Sequence, residues 1–166
     1  MTEEKQNTVI EQDEFQAAFK GKFFGVLKWD QLDDLWKIVK KDTKEGWYIY
    51  AIGDEPATER VAGNALETVI NELNVLLRRE HDEDYCGIVY TDNLTTPSFI
   101  KVFDPNNVGT SCSIAKTPPL PGWTISKLPP TDLLAPMKQT TKRKRWWDKM
   151  FKSLHRKTRH PKLAGE

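Results

Sequence analysis

The chain has 166 residues, 38% of them apolar, and a formal net charge of +1. That length suits one compact domain with extensions. The near-neutral total conceals a division: residues 138–166 hold 11 Lys/Arg against Asp148 and Glu166, whereas residues 1–137 hold 14 Lys/Arg against 22 Asp/Glu. A body of net −8 thus carries a tail of net +9, and so acidic a body is a poor surface for nucleic acid.

Residues 1–12 read as a loose lead-in, and residues 13–130 as one domain. Phe15, Ala18, Phe19, Phe23, Phe24 and Leu27 suggest a short helix followed by a bend at Gly21 or Gly25. From Trp29 to Lys41 the periodicity is clearer. Leu32, Leu35, Trp36 and Val39 share one helical face, while Asp30, Asp33, Lys37 and Lys40 face away. Gly46 is placed to act as a C-cap. Trp47 to Ile52, between Gly46 and Gly53, predicts a strand. After a loop at Asp54-Glu55-Pro56, a long helix is predicted from Thr58 or Val61 to Glu80. Its buried stripe is Val61, Leu66, Val69, Ile70, Leu73, Leu76 and Leu77, and Arg78 and Arg79 suit the negative end of the helix dipole.

Cys86 to Thr91 alternates in the manner of a strand, and Ser98 to Phe103 resumes the pattern. Asp92-Asn93 and Thr95-Thr96-Pro97 supply turn chemistry between them, so the pair predicts a β-hairpin. Asp104 to Gly109 is turn-rich, Ser111-Cys112-Ser113 falls in a loop, and Trp123 to Ser126 predicts a short last strand. The fold class is therefore α+β: a small antiparallel or mixed sheet of about four strands packed against two amphipathic helices, with a basic amphipathic C-terminal helix in addition. Pro129, Pro130 and Pro136 stiffen the connection, and residues 131–141 read as a linker to a tail over 142–166.

Two sets of residues carry candidate chemistry. The first gathers at the ends of the hairpin. His81, Asp82, Glu83 and Asp84 precede it, Asp104 and Asn106 follow it, and Cys112 lies just beyond. Carboxylates with a histidine suit a hard cation or an acid-base pair. The alternative function is accordingly a small hydrolase with His81, Asp84, Asp104 and Cys112, or a metal site of His81, Asp82, Asp84 and Asp104. The spacing matches neither an EF-hand loop nor a zinc-binding histidine pair. A solvated helix-to-strand connection, with Asp82 or Asp84 bonding backbone amides, explains the acidic run more simply than either. Cys86 and Cys112 make no disulfide framework and lack the second pair of a four-ligand zinc site. No sequence pattern calls for a cofactor. Asp104 to Gly109 lacks the glycines and lysine of a phosphate loop, and Trp47, Tyr48, Tyr50, Phe99 and Trp123 read mainly as core.

The second set is the tail. Thr140-Thr141 offers an N-cap, and no Gly or Pro intervenes before Pro161. Trp146, Trp147, Met150, Phe151 and Leu154 form one apolar stripe at helical spacing. Lys142, Arg143, Lys144, Arg145, Lys149, Lys152 and Arg156 supply charge around it. A short helix with rings on one side and cations on the other fits the headgroup level of an anionic membrane. It also fits an acidic groove on a partner protein, a nucleic acid through phosphates and base stacking, or the chain's own acidic body. With a polar, acidic N-terminus that lacks a signal-peptide pattern, and no run of ~20 apolar residues, the expectation is a cytoplasmic, non-enzymatic interaction protein. Its tail would sit peripherally at the inner face of a membrane.

Overall fold

The structure, a computed structural model, describes residues 14–42, 44–108, 120–133 and 141–159, and the side chains within them except those of residues 107, 108, 141 and 152–159. It divides into two units, residues 1–135 and residues 136–166.

The first unit is α+β. A helix, α1 (residues 14–19), precedes strand β1 (Phe24–Val26). Helix α2 (Trp29–Lys41), strand β2 (Tyr48–Ala51) and helix α3 (Gly63–Glu80) follow. The chain then makes β3 (Val89–Thr91), β4 (Phe99–Val102), one helical turn α4 (Pro105–Val108) and β5 (Trp123–Ser126). All neighbouring strands run antiparallel in one five-stranded sheet of order β1-β3-β4-β5-β2. The extra strand relative to expectation is β1. Gly25 does not bend the chain: it pairs with Tyr90, and a Cβ there would come within 3.3 Å of the Tyr90 ring, so glycine lets that ring lie close over the strand.

Residues directly opposed in an antiparallel pair project to the same face. One face is therefore built from Val26, Val89, Ile100, Val102, Trp123, Ile125, Ile49 and Ala51, all buried. The buried stripes of the two long helices match this face. They are Leu32, Leu35, Trp36 and Val39 on α2, and Leu66, Val69, Ile70, Leu73, Leu76 and Leu77 on α3. Arg78 ties the two helices together, pairing with Asp33 at 2.6 Å and lying over the Trp29 ring at 4.9 Å.

The other face is mixed. Tyr90, Lys101, Thr124 and Tyr50 form one row across β3, β4, β5 and β2, with Phe99, Ser126 and Tyr48 in the next. It is covered by a second, smaller core in which Phe15, Tyr50, Ile52 and Phe99 are buried, with Ala18, Phe19, Phe23, Leu120, Leu128 and Leu133 packed around them. Leu133, in the stretch read as the start of the linker, thus packs with the body.

Local chemistry explains the connections. Asp92 Oδ1 accepts from the backbone N–H of Ser98 and Phe99 at 2.9 and 3.0 Å, and Asn93 Oδ1 from Thr95 and Thr96, both at 2.9 Å, which closes the β3–β4 hairpin. The first hairpin strand is shorter than the alternation predicts, because Gly87 at φ +67° turns the chain before Val89. Gly46 does not cap α2, which ends at Lys41 with Asp42 as its C-cap. It has φ +76° and passes so near Val61 that a Cβ would lie 2.5 Å from the Val61 carbonyl oxygen. Trp47 and Val61 meet there in an isolated bridge, so the long helix starts at Gly63 rather than at Thr58 or Val61.

The second unit contains α5 (Thr141–Arg159). Among the described residues, no helix is long and apolar enough to cross a membrane.

Candidate functional site

Of the residues at the hairpin ends, His81 is the C-cap of α3. Its ring lies edge-on between Trp29, at 6.0 Å between centroids, and Tyr85, at 5.9 Å. Its Nε2 is a buried atom without a hydrogen-bond partner. Trp29 Nε1 donates to the Glu83 carbonyl at 3.0 Å, which binds the acidic run to the start of α2. Asp82, Glu83 and Asp84 are exposed. Asp104 is buried, and its Oδ1 accepts from the Asn106 N–H at 3.0 Å, capping the single turn of α4. Among the described residues, no three His, Cys, Asp or Glu side chains group as ligands for a metal ion. Cys112, with Gly109, Ser111 and Ser113, lies outside the described residues. What the geometry does bring together around His81 is aromatic, Trp29 and Tyr85, rather than carboxylate. Cys86 is fully buried, and burial pushes its thiol above the ordinary value, which makes it a small core side chain.

One polar feature of the body was not singled out in the sequence. Lys101 is half-buried on the mixed face, its Nζ 3.9 Å from the centroid of the Phe23 ring and 4.1 Å from that of Phe19. Burial holds its amine below the ordinary lysine value. Beside it in register stands Thr124, whose buried hydroxyl has no hydrogen-bond partner in the structure. Next along the row is Tyr50, its hydroxyl likewise buried and its pKa raised by burial. The signal is legible only afterwards: a lysine at an inward position of a strand, between Ile100 and Val102.

The tail residues lie on α5. Trp147 and Phe151, one turn apart, have ring centroids 4.6 Å apart, and Trp146 and Trp147 are at 5.8 Å. Trp147 and Met150 are buried, and Trp146 and Phe151 half-buried. Lys142, Lys144, Arg145 and Lys149 are exposed. Arg143, read as part of the charged flank, precedes Trp147 by four residues and so shares the side of the rings; it is buried. Lys152, Leu154 and Arg156 belong to the same helix, but their side chains lie outside those described. Compared with protein-family models, with curated proteins and with solved structures, the chain matches none.

Proposed function

We propose that the chain is a non-enzymatic binding protein whose C-terminal helix engages an anionic surface, a membrane in the first place. The observation that carries this reading is the pairing, on α5, of a continuous ring cluster with exposed cations. Trp146, Trp147 and Phe151 stack along one side, while Lys142, Lys144, Arg145 and Lys149 project into solvent. Near an anionic leaflet each such cation contributes about 1 kcal/mol. The rings favour the headgroup level, where an apolar body and a polar edge are both accommodated.

Sedimentation of the whole chain with phosphatidylserine-containing and with purely phosphatidylcholine vesicles tests the reading. Binding is expected only to the anionic vesicles, falling steeply between low and physiological salt. It should be lost in the variant carrying both Trp146→Ala and Trp147→Ala. Equal binding to neutral vesicles, or binding unaffected by the double substitution, rules the membrane reading out.

A further inference from the structure

Lys101 is a cation half out of water with nothing of opposite sign beside it. Among the described residues its Nζ has no ion-pair or hydrogen-bond partner, and burial alone lowers its amine. Charges drawn into a protein are ordinarily paired, because an ammonium taken from water still has three N–H donors to satisfy. The Phe19 and Phe23 rings favour the charge without offering an oxygen to accept from it. Thr124, directly opposite Lys101 and so on the same side of the sheet, is fully buried with an unpartnered hydroxyl. Two adjoining polar groups are thus left unsatisfied at one place on the mixed face.

The surroundings narrow what can satisfy them. The segment that lays Phe19 and Phe23 against Lys101 also carries Lys20 and Lys22, both exposed, and no Asp or Glu occurs from Phe15 to Trp29. The field there is locally positive and draws anions, although the body as a whole is net −8. On the other flank the surface is apolar and only partly covered. Tyr90 pairs with Lys101 across β3 and β4 and is half-buried, as is Phe103, whose ring centroid lies 5.5 Å from that of Tyr90. Leu27 is 64% exposed. It borders the Tyr90 ring, since a Cβ on Gly25 would meet the ring at 3.3 Å and Leu27 at 3.7 Å.

We propose that this face binds a carboxylic acid with an apolar body, the carboxylate accepting from Lys101 Nζ and the body lying across Tyr90, Phe103 and Leu27. An apolar surface with a single well-placed charge is the usual make-up of a small-molecule site. One ammonium balances one carboxylate, and a charge-assisted bond between them supplies the partner that the chain itself withholds. A phosphate brings a charge of about −2 and three strong acceptor oxygens, more than one lysine can meet.

The probe is undecanoic acid with a dansyl group at its far end, titrated by fluorescence into the whole chain, with its methyl ester as the uncharged control. The acid is expected to bind at least about tenfold more tightly than the ester, the equivalent of ~1.4 kcal/mol. In Lys101→Met the acid should fall to the affinity of the ester, and the ester should be unchanged. That variant removes a charge and keeps an apolar stem, so its Tm should be no lower than that of the wild type, and lost binding then reports the site rather than unfolding. The variant carrying both Trp146→Ala and Trp147→Ala should keep the preference, which separates this face from the basic tail. Inorganic phosphate at matched ionic strength should not displace the acid. Equal binding of acid and ester to the wild type overturns the proposal, as does a preference that survives Lys101→Met. A preference lost only in the tryptophan variant assigns the acid to the tail and overturns it equally, and displacement by phosphate removes the carboxylate assignment.

Discussion

The Lys101 ammonium lies 3.9 Å from the centroid of the Phe23 ring, on the face of the sheet opposite the two long helices. Two rings favour its charge, each by ~0.5–1 kcal/mol at a partly exposed site, while burial opposes it, and the amine is held below its ordinary value. Below both the native and the unfolded pKa, the amine is charged in both states and the burial penalty is felt in full. Between the depressed native value and ~10.4 in the unfolded chain, the native state sheds its proton first, so stability rises with pH. Above both, no penalty remains. Lys101→Met keeps an apolar side chain of similar length without the charge. It is expected to be more stable than wild type at pH 7, by about 1 kcal/mol or less, with the gap closing toward pH 10. Thermal denaturation of both proteins at the two pH values checks this; a gap that widens with pH contradicts it.

Thr124 sits beside Lys101 with a fully buried, unpartnered hydroxyl. An unsatisfied buried polar group costs ~1–3 kcal/mol, and replacing it by an apolar group of the same shape recovers part of that. Thr124→Val is therefore expected to stabilise the protein by about 1 kcal/mol, read as an increased midpoint in urea with an unchanged slope. Destabilisation instead would mean that the hydroxyl has a partner in solution, such as a bound water.

Cys86 has no exposed surface and a thiol raised by burial. In a Cys112→Ala chain, which leaves Cys86 as the single thiol, a disulfide reagent at pH 8 is expected to react about a hundredfold more slowly with the native protein than with the protein unfolded in guanidinium. Equal rates would place Cys86 in a region that opens freely.

How much of this was legible depended on whether a segment's pattern has a single cause. α2 and α3 each bury one stripe against one sheet face, so their periodicity read directly, and Asp92 and Asn93 announced the hairpin through the backbone bonds they now make. β1 was hidden because Phe23-Phe24-Gly25-Val26-Leu27 is apolar on both sides, with a glycine at its centre that resembles a bend. The second core was hidden because Phe15 finds Tyr50 and Phe99, residues remote in the chain, and no local period records that. The tail stood out by composition alone.

The strand order also sets a timetable. Among the described residues β1 pairs only with β3 and β2 only with β5, so these strands cannot complete a sheet before residue 89 is made. As the chain leaves the ribosome, Trp47 to Ile52 emerges as a sticky apolar ribbon whose ladder partner does not exist until Trp123 to Ser126 has been synthesised. The β3-β4-β5 meander, local in sequence, is then the natural seed onto which both earlier strands dock from opposite edges. A nascent chain stalled short of Trp123 would leave that ribbon uncovered, the state in which this protein is most exposed to aggregation and to chaperones.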